Sequence, residues 1–302
     1  MTSQSPAAER RLIAVHAHPD DESSSNGSTF PKYADEGTHI TLVTCTLGEE
    51  GEIVVPELAQ LGADQADQLG GYRMWELAEA CRELDVAEQH FLGGPGRYRD
   101  SGMMGEPSND HPRAFWQADL DEAAAYLVPI IRANRPQVLL TYNENGGYGH
   151  PDHIQAHRVA MRAVELAADA DYQPAVGDPW EVAKVYYMAF PRSMIARGIE
   201  MLKEMGQPDL FGITDAKDAT FATDDELVTT EIDGSAYAEQ AKRALAAHRT
   251  QIDPNHPMFT FMDNIGPEAR HDFYQLARGD RGPVDPESGK ETDLFAGIDL
   301  RA

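Results

Sequence analysis

Two short motifs in this chain of 302 residues carry side chains that could bind a metal ion and activate water. The first is HPDDE at residues 18–22, and the second is YGHPDH at residues 148–153. Zinc in a hydrolytic site takes three protein ligands from histidine and carboxylate, and it keeps a fourth position for water. Two histidines and one aspartate from the two motifs would supply that ligand set. The pattern therefore favours metal-dependent hydrolysis.

The first motif has two adjacent carboxylates, Asp20 and Asp21, and these offer two different roles. Neighbouring carboxylates on a loop can point in different directions, so that one binds the metal while the other faces the bound water. The second carboxylate would then serve as a general base. A lone loop histidine is more often a hydrogen-bonded or capping residue than a ligand. The presence of two such motifs reverses that preference.

The elements predicted around the motifs would bring both to one edge of a sheet. The first motif follows an apolar, β-rich run at residues 12–17, and the second follows an apolar run at residues 137–142. Continuous apolar runs are typical of parallel strands that are buried on both faces. In an open α/β sheet, the loops beyond the carboxyl ends of the strands line the ligand crevice. The two motifs are therefore expected to meet there.

Further periodic segments extend this pattern to the whole chain. Strands are also predicted at residues 40–46, 185–190 and 226–232, and helices at residues 67–84, 119–134, 153–168 and 236–248. This alternation predicts the α/β class, with a Rossmann-like, mostly parallel sheet flanked by helices. We expect one domain over residues 1–302, with a sheet core at 11–190 and a C-terminal elaboration at 191–302. Residues 280–291, rich in glycine, proline and charge, are predicted to form a surface loop or a cap.

Composition restricts the partners and the compartment. The 25 basic and 51 acidic side chains give a formal net charge of −26, which repels nucleic-acid phosphates and anionic lipid. A small neutral or cationic ligand fits this charge better. The sequence has no long uncharged apolar stretch that would span a membrane, and the first apolar run is too short for a signal peptide. Cys45 and Cys81 offer no disulfide framework, so we expect a reduced, cytoplasmic setting. The oligomeric state is not predicted.

The motifs resemble those of the LmbE-like (PIG-L) family of zinc-dependent deacetylases, in which HAHPDDE is followed much later by GHPDH. Five further segments resemble one branch, the N-acetyl-glucosaminyl-inositol deacetylases of mycothiol biosynthesis: TCTLGEEGE at 44–52, QLGGYR at 68–73, GRYRDSGM at 96–103, NGGYGHPDH at 145–153 and ETDL at 291–294. The resemblance covers nearly the whole chain. It implies hydrolysis of the N-acetyl group of 1-O-(2-acetamido-2-deoxy-glucosyl)-inositol to glucosaminyl-inositol and acetate.

The resemblance also implies roles for residues of the two motifs. It makes His18, Asp21 and His153 the ligands of one zinc ion per subunit, and Asp20 the base that activates the bound water. Fe(II) is an alternative ion, because a site with two histidines and one aspartate accepts it as well. His157 lies four residues beyond His153 on a predicted helix, and spacing alone would allow it as a ligand instead. The family pattern does not use His157 in this way.

The second motif supplies further catalytic candidates by the same resemblance. His150 would stabilise the tetrahedral state or protonate the leaving amine, and Asp152 would orient it. The identity of the general acid therefore stays open. Tyr148 would help the metal to stabilise the developing oxyanion, although a packed aromatic lid is the alternative interpretation of this residue.

Three residues outside the motifs are candidates for substrate binding. Arg73 and Asp100 lie in segments that hydrogen-bond to sugar and inositol hydroxyls in this family, and Glu52 is a weaker candidate of the same kind. Each could instead belong to a surface ion pair. Glu22 could hold a ligand histidine through its second ring nitrogen. We interpret His157, His248 and Cys45 as structural residues.

Two alternative functions are left open by the sequence. The mycothiol S-conjugate amidases share the metal motifs but cleave the amide of a larger thiol conjugate. In that branch a lysine follows HPDDE, whereas this chain has Ser23, Ser24 and Ser25, which favours the biosynthetic deacetylase. The second alternative is a carbohydrate- or metal-binding protein without turnover. The presence of Asp20, the base that catalysis would need, argues against it.

Overall fold

A seven-stranded sheet forms the centre of the computed structural model, which describes residues 9–206, 212–253, 259 and 270–300. The strands, in chain order, are β1 (Arg11–His16), β2 (His39–Thr44), β3 (Glu88–Phe91), β4 (Val138–Thr141), β5 (Lys184–Ala189), β6 (Thr230–Asp233) and β7 (His271–Arg278). Their spatial order is β3-β2-β1-β4-β5-β7-β6. The strands β1 to β5 are parallel, whereas β7 is antiparallel to both of its neighbours.

Helices cover the sheet. They are α1 (Asp21–Asn26), α2 (Thr29–Asp35), α3 (Leu69–Glu83), α4 (Leu120–Asn134), α5 (Gly146–Gly149), α6 (Pro151–Ala168), α7 (Arg192–Glu204) and α8 (Ala238–Ala247). The start of α4 is well defined because the side chain of Asp119 accepts a hydrogen bond from the backbone N–H of Glu122. Of the helices in these described ranges, none combines the length and apolar character that a membrane crossing needs.

The core lies between the central strands and the helices. β1 and β4 are buried along almost their whole length because their side chains are apolar on both faces. The inward-facing side of α4, which includes Leu127 and Ile131, is fully buried, and this helix packs against α6. In the same way α3 packs against α8, so that a helix from the C-terminal part of the chain rests on one from the N-terminal part.

The predicted α/β class and most of the predicted elements are confirmed. The strands expected at 12–17, 40–46, 137–142 and 185–190 correspond to β1, β2, β4 and β5 within a few residues, and the expected helices correspond to α3, α4, α6 and α8. The strand expected at 226–232 is the shorter β6. Residues 280–290 lie outside helices and strands, as expected for a loop, but Glu291 is fully buried.

The elements that were missed include β3, α7 and β7, together with the single-turn α5. In β3, Phe91 is the one apolar residue of four, because this strand lies at the edge of the sheet and is only partly buried. In β7 most positions are likewise partly exposed, so the apolar pattern is weak. Both β6 and β7 belong to the central sheet, which therefore extends beyond the boundary expected at residue 190. The organisation as a single domain stays a prediction.

Candidate metal centre and active site

The two motifs lie side by side at the carboxyl edge of the sheet. β1 and β4 are adjacent and parallel, so the loops that follow them emerge together. His18 lies in the loop after β1, Asp21 is the first residue of α1, and His153 lies in the first turn of α6. All three side chains are buried. The predicted meeting of the motifs is thus seen in the structure.

The donor atoms of these three residues lie close together, although the nearest oxygen of Asp21 differs between the two histidines. Nδ1 of His18 lies 3.3 Å from Nε2 of His153 and 3.5 Å from Oδ2 of Asp21. Nε2 of His153 lies 3.5 Å from Oδ1 of Asp21. Zinc bonds of about 2.0–2.2 Å at tetrahedral angles place ligand atoms roughly 3.3–3.6 Å apart. The residues present therefore fit a metal ion.

Contacts behind Asp21 decide which of its oxygens is available. Oδ2 accepts hydrogen bonds from the hydroxyl of Tyr142 at 2.7 Å and from the backbone N–H of His18 at 2.8 Å. The hydroxyl of Tyr142 in turn accepts from the N–H of Ala17 at 2.8 Å. Oδ1 is thereby left to face His153. The ring of Tyr142 also stacks on the ring of His153, with centroids 4.2 Å apart.

In each of the two histidines, one ring nitrogen contacts another group of the protein. The other ring nitrogen is thereby left free to bind a metal. Nδ1 of His153 lies 3.2 Å from the carbonyl oxygen of Gly146, so it carries the proton and Nε2 is free. Gly146 has φ +61°, and a Cβ there would lie 2.6 Å from the Cβ of His153. Nε2 of His18 lies 3.3 Å from Oδ2 of Asp152 and 3.5 Å from Oδ1 of Asp100. This leaves Nδ1 of His18 for a metal.

Asp152 and Asp100 are held firmly beside His18. The carboxylate of Asp152 accepts hydrogen bonds from the N–H of Ser101, at 2.8 Å, and from its hydroxyl. Asp100 accepts from the N–H groups of Gly102 at 2.9 Å and Glu50 at 3.2 Å. The expectation that the Asp152 side chain orients His150 differs from this arrangement, because the carboxylate faces His18. Asp152 contacts His150 through its backbone N–H instead.

His150 belongs to the same cluster of rings. One nitrogen from each of His18, His150 and His153 can be chosen so that all lie within 4.8 Å of one another, and the same holds for His18 with Asp100 and Asp152. His150 is the N-cap of α6, and its Nδ1 accepts the N–H of Asp152 at 3.1 Å. Burial, together with the neighbouring His18 and His153, lowers the pKa of His150 to about 3. The ring is therefore neutral at pH 7.

The charges of the candidate ligands suit metal binding. Burial opposes ionisation of Asp21, but His153 and His18 hold its pKa well below the ordinary range. Burial lowers the pKa of His153 to about 4, although Asp21 opposes the shift. Burial also opposes a charge on His18, yet Asp100 and Asp152 raise its pKa well above the usual value. An incoming cation would therefore replace a proton on His18.

Asp20 has an unusual backbone next to this cluster. Its φ of +114° lies in a region that non-glycine residues rarely adopt and that clusters at functional sites. Arg73 donates to Oδ2 of Asp20 at 2.9 Å, to the carbonyl oxygen of Pro19 and, at 2.8 Å, to that of Gly48. The removal of Asp20 from water raises its pKa to about 6; Arg73 opposes the shift and Asp21 adds to it. A carboxylate with such a pKa suits proton transfer near neutral pH.

The remaining predicted residues lie at different depths. Tyr148 is 42% exposed, and its ring centroid is 5.1 Å from that of His153. Arg73 is almost fully buried behind Asp20, so its guanidinium faces the chain rather than an open cleft. Glu52 is exposed. Glu22, expected beside a ligand histidine, contacts the backbone of Asp20 instead.

His157 and Cys45 lie where structural residues are expected. Nδ1 of His157 is 3.0 Å from the carbonyl oxygen of Tyr142, and burial raises the pKa of the Cys45 thiol well above its usual value. Sequence reasoning missed Tyr142 and Ser101, which hold Asp21 and Asp152. Tyr142 could have been found from its place at the end of the predicted strand, whereas Ser101 carries no such signal.

The chain is similar to a known protein family and to several named relatives. Residues 13–164 match the family model described as PIG-L, GlcNAc-PI de-N-acetylase. A protein of Geodermatophilus obscurus named 1D-myo-inositol 2-acetamido-2-deoxy-alpha-D-glucopyranoside deacetylase is 57% identical over 291 residues, which cover 96% of this chain and 98% of the relative. A protein of Catenulispora acidiphila, named 1D-myo-inositol 2-acetamido-2-deoxy-alpha-D-glucopyranoside deacetylase 1, is 56% identical over 298 residues, or 98% of this chain and 92% of the relative.

A solved structure shares the fold. The structure of N,N'-diacetylchitobiose deacetylase from Pyrococcus horikoshii, in complex with its inhibitor MPG, matches with a TM-score of 0.59 and 16% sequence identity. The match covers 88% of this chain and 83% of that chain. At 16% identity, this similarity shows a shared fold and nothing further. Common ancestry is shown by the family model and by the relatives that align over nearly their whole length. The chain belongs to the PIG-L family, which confirms the resemblance seen in its sequence motifs.

Proposed function

We propose that this chain hydrolyses the N-acetyl group of 1-O-(2-acetamido-2-deoxy-glucosyl)-inositol, giving glucosaminyl-inositol and acetate in mycothiol biosynthesis. The observation that carries the chemistry is the convergence of His18, Asp21 and His153 beside the carboxylate of Asp20. The substrate follows from relatives that are 52–57% identical over nearly their whole length and are named as deacetylases of this compound. These names confirm the function expected from the sequence.

A zinc ion is the proposed cofactor, held by Nδ1 of His18, Nε2 of His153 and Oδ1 of Asp21. When bound, it would polarise the acetyl carbonyl and make water more acidic. Two nitrogens and one carboxylate oxygen are donors that zinc accepts, and Fe(II) is the alternative ion. Asp100 and Asp152 support this arrangement by holding the other nitrogen of His18.

The chain's own groups would handle protons and charge. Asp20 accepts a proton from the attacking water, and the leaving amine takes up a proton as its C–N bond to the acetyl group breaks; Arg73 keeps the Asp20 carboxylate in place. Because Nδ1 of His150 accepts the N–H of Asp152, the neutral ring carries its proton on Nε2. His150 can therefore donate a hydrogen bond to the oxyanion that develops on the acetyl group. Tyr148, with a phenol that is protonated at neutral pH, is placed to assist it.

Contacts of Arg73, Asp100 and Glu52 with substrate hydroxyls stay predictions. The structure supports a further role for two of them, because Arg73 holds Asp20 and Asp100 holds His18. The S-conjugate amidase is not favoured, since the relatives at 52–57% identity are named deacetylases. A protein without turnover would not need the pair of Asp20 and Arg73. The cytoplasmic location and the subunit number also stay predictions.

The test compares two substrates on the zinc-loaded protein. We expect kcat/KM for the acetylated glucosaminyl-inositol to exceed that for a mycothiol S-conjugate by at least about tenfold, because a pocket built for the smaller substrate discriminates by more than 1 kcal/mol. Release of acetate and of the free amine would be measured together to establish the reaction. A preference for the S-conjugate would replace the proposal with the amidase, and no turnover of either would refute both.

A further inference from the structure

The strained backbone of Asp20 requires support from its surroundings. A non-glycine residue at φ +114° persists only where neighbouring contacts over-determine its conformation. Arg73 holds the preceding carbonyl and the side chain, as described above. The backbone N–H of Asp20 has a separate partner, Oε2 of Glu22, at 3.0 Å. The position of Asp20 therefore depends on where the carboxylate of Glu22 is held.

Glu22 is fully buried, and its other oxygen identifies what holds it. Oε1 accepts hydrogen bonds from the hydroxyl of Ser23 at 2.6 Å and from Nε2 of His248 at 2.7 Å. Burying a carboxylate is costly unless it is paired with a charge or well hydrogen-bonded. His248 is the ring partner of this carboxylate, and it lies 226 positions further along the chain.

His248 reaches Glu22 from the C-terminal part of the fold. It caps the C-terminal end of α8, and its side chain is fully buried. Nε2 of His248 lies 2.7 Å from Oε1 of Glu22 and both side chains are fully buried, so the two residues hold each other in the interior of the fold. Within the described ranges, Nδ1 of His248 has no hydrogen-bond partner, and the ring makes its polar contacts through Nε2.

We propose that His248 is a positioning residue for catalysis, which acts through Glu22 to keep Asp20 in its strained conformation. The inference rests on the proposed role of Asp20 as the general base. If this contact were broken, Oε1 of Glu22 would lose its ring donor at 2.7 Å, and the carboxylate would no longer be held in this position. The N–H of Asp20 would then lose its anionic acceptor, and the backbone would relax toward an ordinary conformation. The carboxylate of Asp20 would leave its place beside the metal centre.

The first experiment replaces the imidazole of His248 with a phenyl ring, which keeps an aromatic ring at this position but has no nitrogen to contact Glu22. His248→Phe should lower kcat by at least about tenfold, because even a small displacement of a catalytic group lowers the reaction rate strongly. KM should change much less, and bound zinc should stay stoichiometric because His248 touches none of the candidate ligands. His248→Gln, whose amide can donate to Glu22, should retain more activity. If His248→Phe does not fold, His248→Asn, with an amide too short to reach, takes its place in the comparison.

Thr250→Val is the matched control. Thr250 lies two residues beyond His248, is equally buried, and donates its hydroxyl to Oε2 of Glu76 at 2.8 Å. This variant removes a buried hydrogen bond from the same segment without affecting Glu22. It should lose stability in thermal unfolding but keep a kcat close to that of the wild type. An equal fall in kcat in Thr250→Val would show that the effect is merely structural and would overturn the inference.

A double-mutant cycle separates this inference from the role of Asp20. Asp20→Asn should keep its zinc and lose about a hundredfold or more in rate. His248→Phe should then add little further loss in the Asp20→Asn background, since its effect passes through Asp20. Losses that multiply in full, or a wild-type kcat in His248→Phe, would refute the positioning role alone. A wild-type rate in Asp20→Asn would instead refute Asp20 as the base.

Discussion

At the scale of single residues, the two oxygens of Asp21 have different tasks. Oδ2 is taken by the hydroxyl of Tyr142 and the N–H of His18, while Oδ1 points to His153. The Asp21 carboxylate is thereby held in one orientation before a metal binds. Its side-chain entropy is lost during folding, so metal binding does not have to order this residue. The phenol that fixes it also packs on His153, so Tyr142 orients two of the three candidate ligands at once.

The first prediction concerns this phenol. Tyr142→Phe keeps the ring that stacks on His153 but frees Oδ2 of Asp21, so Asp21 can rotate away from the ligand position. We expect the affinity for zinc to fall by about 10- to 100-fold, the range found for groups that orient metal ligands. Competition with a chromophoric chelator would measure the dissociation constant directly, without reference to turnover.

Tyr33→Phe is the control for this measurement. Tyr33 is also fully buried, and its hydroxyl donates to Asp293 at 3.0 Å and accepts the N–H of Leu294 at 2.7 Å, away from the metal centre. It should lose stability but keep the zinc affinity of the wild type. Unchanged affinity in Tyr142→Phe, or an equal loss in both variants, would show that the phenol does not orient Asp21.

At the scale of elements, helix capping and chemistry share the same residues. His150 caps α6, Pro151 opens it, and His153 follows in its first turn, so the helix start fixes both histidines in space. The tight turn before it places the carbonyl of Gly146 against Nδ1 of His153. The motif YGHPDH thus builds a helix terminus as well as part of the site.

The second prediction uses two neighbouring glycines of this turn. Gly146 and Gly147 both have positive φ, at +61° and +74°, so alanine at either position should cost roughly 1–2 kcal/mol of stability. A Cβ at Gly146 would also meet His153, whereas at Gly147 it would meet no atom within 4 Å. Gly146→Ala should therefore lower zinc affinity well below that of Gly147→Ala. Equal zinc affinities, measured alongside unfolding curves, would argue against a link between this turn and His153.

Elements with a strong hydrophobic pattern could be predicted from the sequence. These elements include the strands that position the two metal-binding motifs. The central residues of β1 and β4 are apolar, so the positions of these strands and the meeting of the loops after them followed directly. The tasks of Arg73 and Asp100 could not be predicted, because they depend on which loops pack behind the motifs. Asp100 comes from the segment after β3, the edge strand that was missed. Segment order alone does not show that this loop folds back onto His18.

At the scale of the whole molecule, a buried ion pair ties the C-terminal segment to the sheet. Nζ of Lys184, at the start of β5, lies 2.7 Å from Oε1 of Glu291. The other oxygen of Glu291 accepts hydrogen bonds from Tyr186 at 3.0 Å and from Thr230 at 2.9 Å. This cluster joins β5, β6 and the chain after β7. It lies at the amino end of β5, whereas the metal centre lies at the carboxyl edge.

The third prediction is that this pair matters for stability and not for the metal. Lys184→Met leaves Glu291 buried without its cation, which should cost about 3–5 kcal/mol in denaturant unfolding. Adding Glu291→Gln removes the stranded charge and should restore part of that loss. Zinc affinity should be unchanged in both variants. If Lys184→Met were as stable as the wild type, the ion pair would contribute nothing to the free energy of unfolding.

The effect of Lys184→Met should also depend on pH. Burial raises the pKa of Glu291, but Lys184 and the hydrogen bonds around it outweigh burial and lower the pKa below its ordinary value of about 4.3. The pair therefore stabilises the fold above that pH and loses its effect as the pH falls through the lower, folded-state pKa. The gap between wild type and Lys184→Met should be widest near pH 7 and should narrow in acid.

The strand order β5-β7-β6 has a consequence for synthesis of the chain on the ribosome. β7 is the last described strand, yet it inserts between two strands that precede it. Until β7 emerges, β5 keeps a free edge of unpaired N–H and C=O groups, and β6 has no partner strand. Exposed edges of this kind recruit strands from other chains. Nascent chains that end before β7 are therefore the form of this protein most in need of chaperones, even though all three candidate metal ligands have already been made.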